Sequence, residues 1–322
     1  MGGFAIVLGF LLLGVILQKL ALLPASTANR LIQYVLYVAM PAMVLLHLPQ
    51  LQVDASLWVP LITPWAMLIL SMLSVVALTR LLGWSREVMG ALLIVVPLGN
   101  TSFLGFPIVR SFYGDAGLAY AVLYDQFGSF IGLAVVATTL AAIFAHPANR
   151  RQPASATQVQ PSGRPPLAQI AKKVLTFPPF IALLVALWIL TSDTQYPDWL
   201  AQLLNALGLT LVPAVMVAVG LQLHFRVPRN DLSPFIASLA LKLLILPMIA
   251  FVAMWILPVE GLAVRVSLLE AAMPPMITAG AIAMAAGLKP RLVSAIIGYG
   301  VVCSAVTIPI WYVLIERVFS AG

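Results

Sequence analysis

Pro97-Leu98-Gly99-Asn100 interrupts an apolar stretch that otherwise runs from about residue 88 to residue 112. Met273-Pro274-Pro275-Met276 interrupts another, from about 264 to 287. Proline inside a helix removes a backbone donor and clashes with the preceding turn, so both stretches read as broken helices. Their surroundings decide what the breaks mean. Of the 322 residues 62% are hydrophobic and 8% charged, where soluble domains hold roughly half and a quarter. No water-soluble core can hide so much apolar surface. Lipid is therefore the solvent for most of this chain, and the fold is all-α.

A bilayer core of ~30 Å takes roughly 20 helical residues to cross. By that measure the chain divides into ten stretches, near 4–22, 28–48, 57–79, 88–112, 117–145, 168–191, 199–222, 233–257, 264–287 and 292–315. The first does not read as a signal peptide, since Lys19 follows the apolar run and nothing basic precedes it. Alternate connections hold Lys19 and Arg30; Arg80 and Arg86; Arg150, Arg151, Arg164, Lys172 and Lys173; Arg226 and Arg229; Lys289 and Arg291. These are thirteen of the 17 basic residues, and the positive-inside rule assigns them to the cytoplasm with both termini outside. The net charge of +7 is thus a topology signal, with no basic run to hold a nucleic acid. The lone Cys303 forms no internal disulfide and no metal site.

The one long polar segment, 146–169, is rich in Pro, Ser, Gln and Arg and reads as a flexible cytoplasmic linker. It separates a first five-span repeat (1–145) from a second (170–322). The halves echo each other weakly. Val38-Ala39-Met40-Pro41-Ala42-Met43 in span two is matched by Leu211-Val212-Pro213-Ala214-Val215-Met216 in span seven, and the breaks of spans four and nine fall nine or ten residues into each. A repeat of five spans inserts its copy upside down, and inverted repeats with broken helices mark a secondary transporter. At 1.5 Å per residue, Pro97 and Pro274 lie roughly 14 Å deep from opposite faces, which is the midplane. Each break starts a half-helix, near Asn100 and near Met276, whose N-terminus carries ~+0.5 of a charge and unpaired N–H groups. Two such ends converging make an anion site.

Gly99-Asn100-Thr101-Ser102-Phe103-Leu104-Gly105-Phe106-Pro107, Tyr124-Asp125-Gln126 and Ala272-Met273-Pro274-Pro275 resemble the auxin efflux carrier family of the bile-acid/arsenite/riboflavin transporter superfamily. The resemblance covers essentially the whole chain. It implies ten transmembrane helices as two inverted five-helix repeats, with broken helices (spans four and nine) crossing at the substrate site. It also implies transport of a small carboxylate, malonate-like or auxin-like, with Asn100 touching it. Spans three to five and eight to ten would form a moving crossover unit, and spans one, two, six and seven a scaffold. The long cytoplasmic domain of the plant members is reduced here to 146–169.

The candidate substrate contacts are Asn100, Thr101, Ser102 and Thr278, with Pro97, Pro274, Pro275 and Met276 shaping the breaks. Asn100 offers two amide donors, or else caps its half-helix. Asp125 and Glu270 are acids inside spans and so functional candidates. Either could exchange a proton between sides, or sodium could sit near Asn100, Asp125 and Glu270 with unwound carbonyls. Lys242 is expected as their structural ion-pair partner, or as the substrate's counter-ion, and Gln126 as a bond across the crossover. His47, Arg110 and Arg265 read as interfacial, and the tryptophans as an aromatic belt without function.

The leading expectation is an alternating-access carrier for a small organic anion in the bacterial inner membrane, without cofactor; a homodimer is compatible with it. The alternative is a channel or sensor of the same fold. An enzyme is excluded by the chemistry available. The three histidines, 47, 146 and 224, lie at span ends or in loops, and no metal-ligand cluster occurs.

Overall fold

A computed structural model describes residues 2–319 apart from 25, 52–54, 146–170, 173, 193–195, 224, 226–228 and 258. The expected 146–169 linker therefore lies outside the described residues. Among the described residues, seven helices are long and apolar enough to cross a membrane. They are α1 (Gly2–Lys19), α2 (Thr27–Gln50), α3 (Trp58–Leu82), α5 (Thr101–Phe144), α7 (Asp198–Gly220), α8 (Leu232–Ile256) and α11 (Pro290–Phe319). Between them lie the shorter α4 (Arg86–Val95), α6 (Pro178–Leu190), α9 (Leu262–Ala271) and α10 (Ile277–Ala285). Large apolar side chains such as Leu73, Val306, Trp255 and Ile256 point outward, as lipid-facing residues do.

The α5 helix spans 44 residues, about 66 Å if straight and twice what a bilayer core needs. It is not straight. Gly114 sits at φ 66°, ψ −163°, a conformation that glycine adopts without a Cβ penalty, and turns the chain back. Sequence hydropathy separates two spans here at 112–117, and this glycine is the corner between them.

Prolines shape three helices in the same way. Val35–Ala39, Thr101–Gly105 and Leu241–Ile245 are π-helical, and each ends two residues before a proline, at 41, 107 and 247. In each the N–H just before the proline bonds five residues back: Met40 to Val35, Phe106 to Thr101, Leu246 to Leu241. A proline ring would strike the carbonyl four residues before it, and the wider turn moves that carbonyl aside. The displaced carbonyl then needs a donor, which Trp311 Nε1 supplies to Leu243 O at 2.9 Å. Tyr196 does the same for Leu45 O, four residues before Pro49, at 3.0 Å. Trp65 Nε1 likewise reaches Phe127 O at 3.0 Å. Trp65 and Trp311 thus act as interior donors, whereas Trp188, Trp199 and Trp255 are exposed as a belt requires.

The tightest helix crossing joins α1 to α7. A Cβ on Gly14 would strike the Val217 carbonyl, and one on Gly220 the Leu11 carbonyl. Glycine on both sides lets the backbones touch, the packing that lipid-embedded helices favour. Closest packing falls into two sets. One is α1, α2, α6 and α7; the other is α3 to α5 with α8 to α11. Contacts of all four of the first set on α5 bridge them.

Candidate functional site

The two interrupted stretches meet. Asn100 donates its backbone N–H to Pro274 O at 2.8 Å, and Met276 donates to Leu98 O at 2.9 Å. Gly99 and Pro275 stand opposite each other as an antiparallel bridge. Prolines stop α4 and α9 from continuing, and the freed backbone groups cannot be left in an apolar interior. Each break satisfies the other. Residues 96–101 and 271–277 are buried throughout. The helical chain resumes at Thr101 and Ile277, so two helix N-termini leave this point.

Asn100 occupies the N-cap position at φ −81°, ψ 61°, and its side chain makes no capping bond. Its carbonyl instead accepts Leu104 N–H at 3.2 Å and Gly105 N–H at 3.0 Å. The amide Nδ2, on a residue 1% exposed, has no partner. A cap is the ordinary use of Asn here; in this protein the amide is left over.

Thr101 Oγ1 and Ser102 Oγ both donate to Asp125 Oδ1, at 2.6 and 2.5 Å. Gln126 Nε2 donates to Asp125 Oδ2 at 2.8 Å. The two hydroxyls expected to reach an anion are thus committed to Asp125, and they tie the start of α5 to its returning limb. Gln126 keeps one buried, unpartnered oxygen, Oε1.

Glu270 lies in the last turn of α9, fully buried, and neither carboxylate oxygen has a partner. It rests against Gly105, where a Cβ would collide with the carboxylate. Lys242 stands in the π-helical turn before Pro247 and is 3% exposed. A Cβ on Gly99 would come within 3.3 Å of Lys242 Nζ, which puts the ammonium beside the paired breaks. Glu270 feels Lys242 as an opposite charge and Asp125 as a like one. No ion pair within 4.0 Å joins Lys242 to either acid. Lys242 therefore faces the crossover without the close structural partner that its depth suggests.

Pro97, Pro274, Pro275 and Met276 are all buried in the breaks. Thr278, one turn further on, is exposed. His47, Arg110 and Arg265 find partners away from the crossover. Arg110 Nε meets Asp115 at 2.8 Å, His47 Nε2 lies 3.9 Å from the same carboxylate, and Arg265 pairs with Glu316 at 3.3 Å. His146 and His224 are outside the described residues.

Three residues near the acids escape sequence reasoning. Gly105 sits inside the quoted 99–107 motif, five residues after Asn100, and its lack of a side chain makes room for Glu270. Ser267 lies three residues before Glu270, on the same helix face, with a buried, unpartnered hydroxyl. Tyr124 precedes Asp125, is buried, and faces Glu270 electrostatically. Spacing carries a signal for Ser267, but for the others only tertiary contact does.

The arrangement offers an ammonium, an orphaned amide donor and two helix N-termini in one buried place, with acids behind them. Known proteins similar to this chain are membrane transporters. An uncharacterized transporter of Methanothermobacter thermautotrophicus is 28% identical over 312 residues, covering 96% of both chains. An uncharacterized transporter of Methanocaldococcus jannaschii is 26% identical over 276 residues, covering 84% of this chain and 83% of that one. Residues 3–312 match the family described as membrane transport protein, and the chain belongs to that family, as its likeness to the auxin efflux carriers suggests.

Proposed function

We propose that this membrane transporter carries a small organic carboxylate by alternating access around the paired breaks. The observation that supports it best is the unpartnered Asn100 amide in a buried crossing where the Lys242 ammonium stands against the neighbouring Gly99. A buried polar group ordinarily has a partner, and a carboxylate would complete both. The N–H groups at the starts of α5 and α10 add positive ends from two directions. Pro97, Pro274, Pro275 and Met276 hold the breaks open to each other. Asp125 is braced by Thr101, Ser102 and Gln126, and Glu270 is the opposite charge that Lys242 feels.

In this reading the seven long helices, together with α4, α6, α9 and α10, make ten passes. Span four is α4 with the first limb of α5, and span nine is α9 with α10. Two inverted five-span repeats then relate the breaks, and the set α3 to α5 with α8 to α11 rocks against α1, α2, α6 and α7. Basic connections lie in the cytoplasm and both termini outside, in the inner membrane of a bacterial cell.

Counterflow tests this. Purified protein is reconstituted into liposomes loaded with an unlabelled acid, and entry of the same labelled acid is followed for malonate, hydroxy acids and aromatic acetates. Saturable counterflow of at least one acid is expected, with KM raised in Asn100→Ala. A panel that shows none would remove the carboxylate reading. Flux that does not saturate would make the protein a channel.

A further inference from the structure

We propose that a cavity between α6 and the α3–α5 pair is a lipid site, occupied by one acyl chain of a membrane phospholipid. The site is separate from the paired breaks, and the inference does not depend on what the protein carries.

The cavity has a volume of about 550 Å³, within the roughly 300–1,000 Å³ that binding cavities occupy. Leu61 and Trp65 of α3 line one side, Leu123 and Phe127 of the returning limb of α5 a second, and Leu187 and Leu190 of α6 a third. Every residue of the lining is leucine, isoleucine, phenylalanine or tryptophan. The one polar side-chain atom among them, Trp65 Nε1, is already engaged with Phe127 O at 3.0 Å. A carboxylate placed here would lose its hydration and find no side-chain donor, which is costly. Water fits no better, because a buried water needs roughly two to four polar partners. Left empty, a space of this size forfeits dispersion contacts along all its walls. Hydrocarbon meets none of these objections.

The surroundings of the cavity favour a chain that enters from the bilayer. Phe130 stacks on Phe177 at 4.2 Å, and Phe127 meets Phe180 edge-on at 6.5 Å. These pairs show the returning limb of α5 and α6 running antiparallel, and the rings close the seam between them at one end. Leu123 and Leu187 lie further along, past the rings. On the open side Leu61, Trp65, Leu187 and Leu190 are only half-buried, and their chain neighbours Ile62 and Trp188 are exposed. The cavity is thus continuous with the lipid-facing surface, and an acyl chain can slip in sideways without leaving the hydrocarbon layer. Because α6 belongs to one helix set and α3 and α5 to the other, the chain packs between the two sets and supplies apolar contact that the side chains leave out.

Photolabelling from the lipid side tests this. Full-length protein is reconstituted into vesicles of phosphatidylglycerol that carries a diazirine midway along one acyl chain, then illuminated, digested and mapped by mass spectrometry. An adduct is expected on Leu123 as well as on the outward-pointing Leu73 of α3. Leu123 is 5% exposed, so lipid that merely surrounds the protein does not label it. Leu187→Trp and, from the opposite wall, Leu61→Trp fill the cavity, and each should lose the Leu123 adduct while keeping the one on Leu73. Labelling of Leu73 without Leu123 in the parent would overturn the proposal, whatever else covers the cavity. A Leu123 adduct that persists in a folded, filled variant would overturn it as well. The parent result needs neither variant, so a filled protein that fails to fold does not shield the idea.

Discussion

The backbone N–H of Asn100 bonds to the carbonyl of Pro274 at 2.8 Å, and that contact frees the Asn100 side chain for other use. With the main chain anchored across the break and the α5 start bonded through the Asn100 carbonyl, the side-chain amide has no structural duty. Asn100→Ala should therefore leave the melting temperature nearly unchanged. Affinity for the transported acid should fall by about tenfold or more, the ~1.5–3 kcal/mol of a hydrogen bond to a charged group. Thermal-shift titration in detergent reads both quantities from one experiment. A mutant with full affinity would take Asn100 out of the site.

Thr101 and Ser102 should behave in the opposite way. Their hydroxyls serve Asp125, so Thr101→Val with Ser102→Ala strips two of the three donors from a buried carboxylate. A loss of stability of ~1.5–3 kcal/mol per bond is expected, measured by chemical unfolding in detergent. Lowered affinity at unchanged stability would mean that the hydroxyls point at the ligand instead.

The crossing of α1 and α7 tolerates no side chain. Gly14→Leu forces a branched chain against the Val217 carbonyl and the Gly220 backbone. Overpacking against a rigid backbone costs about 1–3 kcal/mol or more, and even Gly14→Ala should be felt. Melting temperatures of Gly14→Ala, Gly14→Leu and Gly9→Leu would check this, because a Cβ on Gly9 meets nothing.

Trp311→Phe keeps most of the ring packing but removes the indole donor from Leu243 O. That carbonyl is displaced by Pro247 and cannot return to the helix ladder, so the change should cost ~1–3 kcal/mol as an unsatisfied buried acceptor. Trp188→Phe, at an exposed position, provides the comparison. Equal melting temperatures for the two would show that the indole bond contributes little.

Much of this architecture is legible in the chain because lipid imposes strict rules. Length and hydropathy locate the apolar helices, and proline marks where each interrupted stretch stops: α4 ends at Val95 and α9 at Ala271, just before Pro97 and Pro274. The site is only half legible. Asn100, Asp125, Glu270 and Lys242 stand out as polar residues in apolar spans. Which of them bond to each other depends on helix rotation, and a sequence does not display that angle. Spacing leaves Thr101 and Ser102 free to meet an anion, whereas folding turns them onto Asp125. Trp311 resembles a belt residue by its place near a span end, yet its indole N–H bonds inside the protein.

The sequence by itself determined that this is a membrane-embedded helical protein, broken at two places by proline. In an apolar solvent only helices and closed barrels satisfy the backbone, continuous apolar runs of about 20 residues select helices, and proline cannot donate to a helix ladder. Only the tertiary structure decided that the two breaks bond to each other, and that one acid is surrounded by donors while the other has none. Those outcomes follow from which side chains a helix turns toward its neighbours, and that is set by packing between segments far apart in the chain.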